Sequence, residues 1–461
     1  MLKIHQKLNV DMLHGSLIKN ILLFSLPLML TGILQLLYNA ADIIVVGQFA
    51  ESGSIGAVGV TSQIINLIVN TVIGLSVGSC VVVARYFGAG NYKGVSRAVH
   101  TSILLSLIMG IVVAIIGFFT SRLILTACST PSDIIDRSTI YMQIYFLGSP
   151  FNLVYNFGAA ILRAVGETKK PLTYLTIAGL ANVALNLVFV LIFHLGVAGV
   201  AIATVISQVI SCILVTICLM RSSGAIQLQF KKLKIHKKEF ISIMQMGLPA
   251  GIQSALFSLS NVLIQSSVNS FGSVVVEGNA AGGSIDSFIY TAMNSVSQAA
   301  ISFTSQNYGA KNYKRLPRVL GACCVVVTAV GVIISGIIYI FRYQLIGIYI
   351  NTPEPVATAS ERLFYFCMTY FLCGIMETLA GAMRGLNYSV LPMIVSLVGA
   401  CVFRIIWIYT IFAMAPSMVS LYISYPVSWI LTVLAHFICY IIALKRLKKK
   451  NPELFAKKVE E

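Results

Sequence analysis

Three carboxylates stand where carboxylates are costly. Asp42, Asp286 and Glu377 each fall well inside a long apolar stretch. Asp42 sits in LYNAADIIVVG, Leu37 to Gly47, just after a tyrosine and an asparagine. Such a carboxylate is unfavourable unless it is paired, hydrated, protonated or bound to a cation. Reversible uptake of a proton or a metal cation is the chemistry it supports, and the physical basis for coupling to an ion gradient. For Glu377 the sequence offers a partner, Arg404, differing in depth by roughly 10 Å at the helical rise. A structural ion pair stands beside a transport role for this residue. Asp286 either lines a cavity or caps a polar cluster. No enzyme constellation is present: there is no Walker A loop, and the six histidines show no metal-ligand spacing. His194 and His436, at span ends, are read as interfacial. The ten cysteines lie in or beside apolar stretches without CxxC spacing, which points to packing.

The elements that hold these acids are membrane helices. The 461 residues have a mean hydropathy of +0.89 and are 57% hydrophobic and 10% charged, which excludes a soluble enzyme. Twelve spans are expected, at 18–46, 54–84, 98–120, 138–162, 172–194, 197–220, 241–270, 277–304, 318–341, 357–383, 391–413 and 417–444. The N-terminus lacks a signal-peptide pattern, so the first span is expected to be retained.

The net charge of +17 invites a nucleic-acid reading, and its distribution argues against one. With the N-terminus inside, the inner segments hold 27 of the 32 Lys and Arg residues. The outer loops hold Arg122, Arg137, Arg342 and Arg362, and Arg404 alone lies within a span. This is the positive-inside pattern of a multi-pass plasma-membrane protein with both termini cytoplasmic. The cluster KKLKIHKK, Lys231 to Lys238, and the tail Lys445 to Lys450 are read as topology signals and anionic-lipid contacts.

The chain repeats itself. VARYFGAGNYKGVSRAV, Val83 to Val99, recurs as TSQNYGAKNYKRLPRVL, Thr304 to Leu320, at an offset of 221. The same offset carries ILRAVGETKKP, Ile161 to Pro171, onto AMRGLNYSVLP, Ala382 to Pro392. SLP at Ser25 to Pro27 meets GLP at Gly247 to Pro249 at an offset of 222. The expected organisation is an N-terminal six-helix lobe (1–220), a basic cytoplasmic linker (221–240) and a C-terminal six-helix lobe with a basic tail (241–461). Six spans per copy leave both copies in the same orientation, related by a pseudo-twofold axis along the membrane normal. Pro27 and Pro249 each fall inside a span and are candidate hinges, since an internal proline removes a helix hydrogen bond.

Polar residues at helical spacing form stripes: Thr31, Gln35, Tyr38 and Asp42 in span 1; Gln63, Asn66 and Asn70 in span 2; Ser254, Ser258, Asn261 and Gln265 in span 7; and Ser284, Ser287, Thr291, Asn294 and Gln298 in span 8. Such faces avoid lipid and meet a wet cavity or one another. Candidate cavity residues are Gln35, Tyr38, Asn39, Gln63, Asn66, Asn70, Asn261, Gln265, Asp286, Met293 and Glu377.

Taken together, LYNAAD, the doubled six-span design, the Gly-Ala-x-Asn-Tyr-Lys loops and LRAVGETKKP resemble the multidrug and toxic compound extrusion (MATE) family over essentially the whole chain. The resemblance is to its DinF-like branch. It implies an all-α fold of twelve transmembrane helices in two lobes, and export of amphipathic, often cationic compounds in exchange for Na⁺ or H⁺. No cofactor and no obligate protein partner are implied. The branch places a cation site in its N-terminal lobe, which maps to Asp42, Asn182, Asn186 and Thr204. Counted at about 1.5 Å per residue, Asp42, Asn186 and Thr204 reach the outer half of the bilayer. Asn186 stands where the branch has an aspartate and Leu187 where it has a proline, so one negative charge replaces two. Na⁺ with oxygen ligands and a lone protonatable Asp42 both remain open. A lipid-linked oligosaccharide flippase of the same superfamily is the alternative; its basic cavity conflicts with three acids against one base inside the spans. A receptor or passive channel is the rival from another class.

Overall fold

The computed structural model describes residues 10–49, 54–128, 130–350 and 352–456; the side chains of Ile55 and Gln63 lie outside that description. In chain order the helices are α1 (Leu17–Phe49), α2 (Ser54–Gly88), α3 (Tyr92–Ala127), α4 (Ile135–Leu147), α5 (Ser149–Ala164), α6 (Lys169–Leu187), α7 (Gly196–Arg221), α8 (Lys237–Asn269), α9 (Ser273–Gly309), α10 (Arg315–Ile340), α11 (Arg342–Ile346), α12 (Pro353–Gly385), α13 (Val390–Ser396), α14 (Phe403–Trp407), α15 (Met418–Lys450) and α16 (Pro452–Ala456). No strand occurs among the described residues.

Among the described residues, ten helical stretches are long and apolar enough to cross a membrane by themselves. Two more elements complete the twelve. α9 spans 37 residues but is too rich in Ser, Asn and Gly to score as apolar. α4 and α5 form one crossing that breaks at Gly148, because Pro150 in the first turn of α5 cannot continue the hydrogen bonding of α4. The last but one crossing, Val390–Phe412, is interrupted by π-helical turns at Leu397–Val402 and Ile408–Phe412. α6 runs into a similar turn at Val188–Ile192. At the repeat offset of 221 residues, that turn and Ile408–Phe412 coincide to within one residue.

The repeated loops keep their backbone geometry as well as their letters. Gly90 has φ 66 and Lys311, its counterpart, φ 57; Gly166 has φ 89 and Asn387, its counterpart, φ 73. Each pair ends a helix with one left-handed residue, which glycine adopts freely and Asn or Lys at some cost.

The chain divides into two compact units: Leu30–Gly251 in the first, and Val10–Met29 with Ile252–Glu461 in the second. The boundaries fall two residues beyond Pro27 and Pro249, so the opening turns of α1 belong to unit 2 and those of α8 to unit 1. In unit 1, α2 and α8 meet through two small-residue pairs, Gly74 with Gly78 and Gly247 with Gly251. A Cβ on Gly78 would collide with the Ile243 carbonyl and the Gly247 amide, and one on Gly251 with the Thr71 carbonyl. Glycines at this spacing let backbones approach where side chains would hold them apart. In unit 2, Phe24 of α1 packs edge-on against Phe303 of α9 at 5.8 Å. Asn307 donates to the Met12 carbonyl at 3.0 Å, and Arg315 to that of Gly15 at 2.8 Å.

Candidate cation site

The site in unit 1 is built where α1 crosses α6 and α7. The Tyr38 ring packs against Gly179 of α6, where a Cβ would occupy the same space. Its hydroxyl donates to the Thr176 carbonyl at 3.4 Å. This fixes the rotation of α1, and one turn further on Asp42 meets the next polar turns of α6. Asn186 Nδ2 donates to Asp42 Oδ1 at 2.5 Å and lies 3.4 Å from Asn182 Oδ1. Asn182 Nδ2 in turn donates to Thr204 Oγ1 of α7 at 3.4 Å, and the Thr204 hydroxyl donates to the Val200 carbonyl at 2.9 Å. The four residues named from the resemblance thus form one connected group. Asn186 is fully buried, Asn182 is 4% exposed, and Asp42 is half-buried.

The group has an acceptor to spare. Asn186 Oδ1 is buried and has no hydrogen-bond partner, a situation that costs about 1–3 kcal/mol. No cationic side chain pairs with Asp42 among the described residues. The Asp42 carboxylate, the side-chain oxygens of Asn182 and Asn186 and the Thr204 hydroxyl are all oxygen donors, the type a hard monovalent cation prefers. The arrangement fits a proton on Asp42 or a bound Na⁺. No cluster of three His, Cys, Asp or Glu residues exists among the described residues. Sequence reasoning missed Tyr141 and Tyr145 of α4, which lie within electrostatic reach of Asp42. Their signal was a pair of tyrosines four residues apart, and so on one face of α4.

Unit 2 carries a different polar group. Arg362 donates from Nε and Nη2 to Asp286 Oδ2, at 2.9 and 2.7 Å, and from Nη1 to Asn279 Oδ1 at 2.8 Å. Its guanidinium lies 4.4 Å over the Phe366 ring. Asn279 also receives the Tyr422 hydroxyl at 3.4 Å and donates to Gln265 Oε1 at 3.5 Å. Asp286 and Gln265 therefore meet through Asn279 and Arg362. The hydropathy pattern places Arg362 in an outer loop; it lies inside α12, which begins at Pro353, well before the apolar run. The balance of three acids to one base inside the spans changes accordingly, and no longer argues against a basic cavity.

Glu377 does not pair with Arg404. Arg404 donates to Ser428 Oγ at 2.9 Å and stacks 4.1 Å over Tyr425, while Glu377 lies in the field of Arg384, two turns along the same helix. Met293 is 1% exposed and packs against Gly331 and Gly374 in the unit 2 core, so it lines no cavity. Gln35, Asn39, Asn66, Asn70 and Asn261 are exposed. The Gln63 side chain lies outside the described residues. His436 is not interfacial: it is fully buried within α15, between the Thr432 and Pro392 carbonyls.

The repeat shows that the two groups are mutually exclusive. At offsets of 221 and 222, Asp42, Asn182, Asn186 and Thr204 become Ile264, Phe403, Trp407 and Tyr425. In the other direction, Asp286, Arg362, Asn279 and Tyr422 become Ile65, Tyr141, Val58 and Ala201, which lie in one hydrophobic cluster of unit 1. Each unit holds a polar group where the other holds apolar or aromatic side chains.

Comparison with known proteins accords with this doubled design. The MatE family model matches twice, at residues 27–188 and 249–410. The chain is 28% identical over 395 residues to the probable multidrug resistance protein YpnP of Bacillus subtilis (strain 168), covering 86% of this chain and 88% of YpnP. It is 20% identical to the multidrug export protein MepA of Staphylococcus saprophyticus, covering 78% and 80% of the two chains. A solved structure described as the outward-facing conformation of a multidrug resistance MATE family transporter of the MOP superfamily matches with a TM-score of 0.89 and 20% identity, covering 96% of this chain and 99% of that one. With both halves matched in order and at the repeat spacing, the chain belongs to the MATE family of multidrug efflux transporters.

Proposed function

We propose that this transporter exports amphipathic organic cations in exchange for H⁺ or Na⁺, with coupling at Asp42. The observation that carries the reading is the contrast between two intramembrane acids. Asp286 already has a built-in counter-charge in Arg362. Among the described residues, Asp42 has the neutral amide of Asn186 and no cationic partner. A carboxylate held by a neutral donor can trade a proton or metal ion, whereas one held by a guanidinium is already compensated. The names of the relatives support a multidrug substrate range. Coupling works by alternating access: binding or release of the cation changes the bend of α1, with Pro27 and Pro249 as the bending points. The protein sits in the plasma membrane with both termini cytoplasmic, as its basic loops favour.

The test is efflux of a fluorescent organic cation from proteoliposomes under an imposed Na⁺ or H⁺ gradient, for wild type and Asp42→Asn. Uphill efflux that one gradient drives and the variant loses supports the reading. Efflux that survives in Asp42→Asn moves coupling away from this site. Absence of wild-type efflux for every cation tried sinks the substrate class.

A further inference from the structure

The polybasic linker does more than mark topology. We propose that residues 229–236 and the first turns of α3 form a binding pocket for a phosphate group, supplied by the headgroup of an anionic phospholipid.

The pocket is a cavity of ≈ 400 Å³ lined by Ser96, Arg97 and His100 on α3 and by Lys231, Lys232, Leu233, Lys234 and His236 on the linker. The linker is held in place against unit 1. The Leu228 amide donates to the Leu219 carbonyl at 3.0 Å, and the Gln229 amide to His100 Nε2 at 3.1 Å. His100 Nδ1 donates to the Ser96 carbonyl at 2.7 Å, so both ring nitrogens are committed. The His236 amide donates to Thr101 Oγ1 at 3.1 Å. The lysines are therefore presented on ordered backbone, which lowers the entropic cost of gathering them around an anion.

The charge there is uncompensated. One carboxylate is close, Glu239, and it is buried against Arg97 at 3.1 Å. Lys231, Lys232 and Lys234 have no acidic partner among the described residues. Phe230 and Ile235, 57% and 38% exposed, bracket the lysines. Exposed apolar side chains alternating with lysines suit the boundary between headgroups and acyl chains, which favours a lipid over a free anion. The repeat supplies a contrast. Arg318 and Gly321 stand at the positions of Arg97 and His100 in unit 2, and the segment leading into α1, Val10 to Ser16, carries Asp11 and no lysine. Among the described residues, the unit 2 counterpart lacks the lysine cluster. The pocket rests on the membrane placement of the family and is independent of the coupling reading.

The test uses the full-length protein in a zwitterionic detergent, with native mass spectrometry as the readout. The probes are dioleoyl phosphatidylglycerol, dioleoyl phosphatidylcholine and inorganic phosphate, each at the same concentration. The variants are Lys231→Gln/Lys232→Gln/Lys234→Gln and, as an equal-charge control, Lys448→Gln/Lys449→Gln/Lys450→Gln. Phosphatidylglycerol should bind wild type and the tail control alike, and the linker variant at least about tenfold more weakly. Retention of phosphatidylglycerol against inorganic phosphate assigns the pocket to the headgroup; displacement assigns it to free phosphate and overturns the lipid source. Equal binding by the linker variant and wild type, or equal loss in the tail control, overturns the pocket. So does phosphatidylcholine binding as tightly as phosphatidylglycerol.

Discussion

Asn186 and Asp42, 144 residues apart in sequence, meet through a single amide-to-carboxylate hydrogen bond in unit 1. The amide can turn to offer either its donor or its acceptor face, so the same residue can hold an ionised Asp42 or join it around a cation. Asp42→Asn removes the charge and leaves the shape. Gradient-driven efflux should fall at least about tenfold, while equilibrium binding of the organic cation changes far less. Radiolabelled cation binding beside efflux separates the two.

Asn186→Asp tests the same contact from the other side. Two adjacent carboxylates repel unless a cation or proton joins them. The variant should remain folded and show a changed ion requirement, with the half-saturating Na⁺ or H⁺ concentration shifted about tenfold. An unchanged ion titration would mean that the two side chains do not share a cation.

The Arg362 and Asp286 pair should behave as structure. Arg362→Gln leaves a buried carboxylate without its counter-charge, and such losses cost about 3–5 kcal/mol. Asp286→Asn with Arg362→Gln removes both charges and should recover much of that loss. Thermal unfolding of the detergent-solubilised single and double variants reads the difference. Efflux by the folded double variant should stay coupled; uncoupled efflux would give the pair a transport role.

Gly179 is the seat of the Tyr38 ring, and any larger residue must displace it. Gly179→Leu should rotate α1 and break the Asn186 contact one turn away, lowering coupled efflux nearly as much as Asp42→Asn. Tyr38→Phe keeps the ring and gives up only the 3.4 Å bond to Thr176, a loss of about 1 kcal/mol or less. Efflux by Tyr38→Phe close to that of wild type, beside loss in Gly179→Leu, would separate ring packing from hydroxyl chemistry.

The crossing of α2 and α8 should be equally sensitive to volume. Gly78→Val forces a side chain into the Ile243 carbonyl and the Gly247 amide. Overpacking of this kind costs about 1–3 kcal/mol. A lower melting temperature for Gly78→Val, with little change for the open position Gly59→Val, is the expected pattern.

The sequence made some of these features legible and hid others for physical reasons. Hydropathy marks most of the crossings because lipid demands long apolar runs. It marks α9 less clearly, since that helix is buried in protein and tolerates serine and asparagine. Asp42 was readable as an acid inside an apolar run, whereas Asn182, Asn186 and Thr204 came from the family resemblance alone, since an amide or hydroxyl within a span is common enough to carry no signal by itself. Arg362 was not legible. Ser-Glu-Arg ahead of an apolar run reads as a span edge, and only the earlier start of α12 at Pro353 brings the guanidinium beside Asp286. The same limit misdirected Glu377 and Arg404, because depth along two helices says nothing about which faces meet.

The placement of the two unit boundaries just past Pro27 and Pro249 has a consequence for biosynthesis. A chain leaving the ribosome can fold a domain only once all its parts exist. Unit 1 lacks residues up to Gly251 until α8 has been made, although its other helices end at Arg221. Val10–Met29 is made before the rest of unit 2 and waits for α9 before Phe24 can find Phe303. Neither half of the chain contains a whole unit. Fragments cut within the linker should mature only when produced together, and the opening turns of α1 must wait for their unit 2 partners until translation is more than half complete.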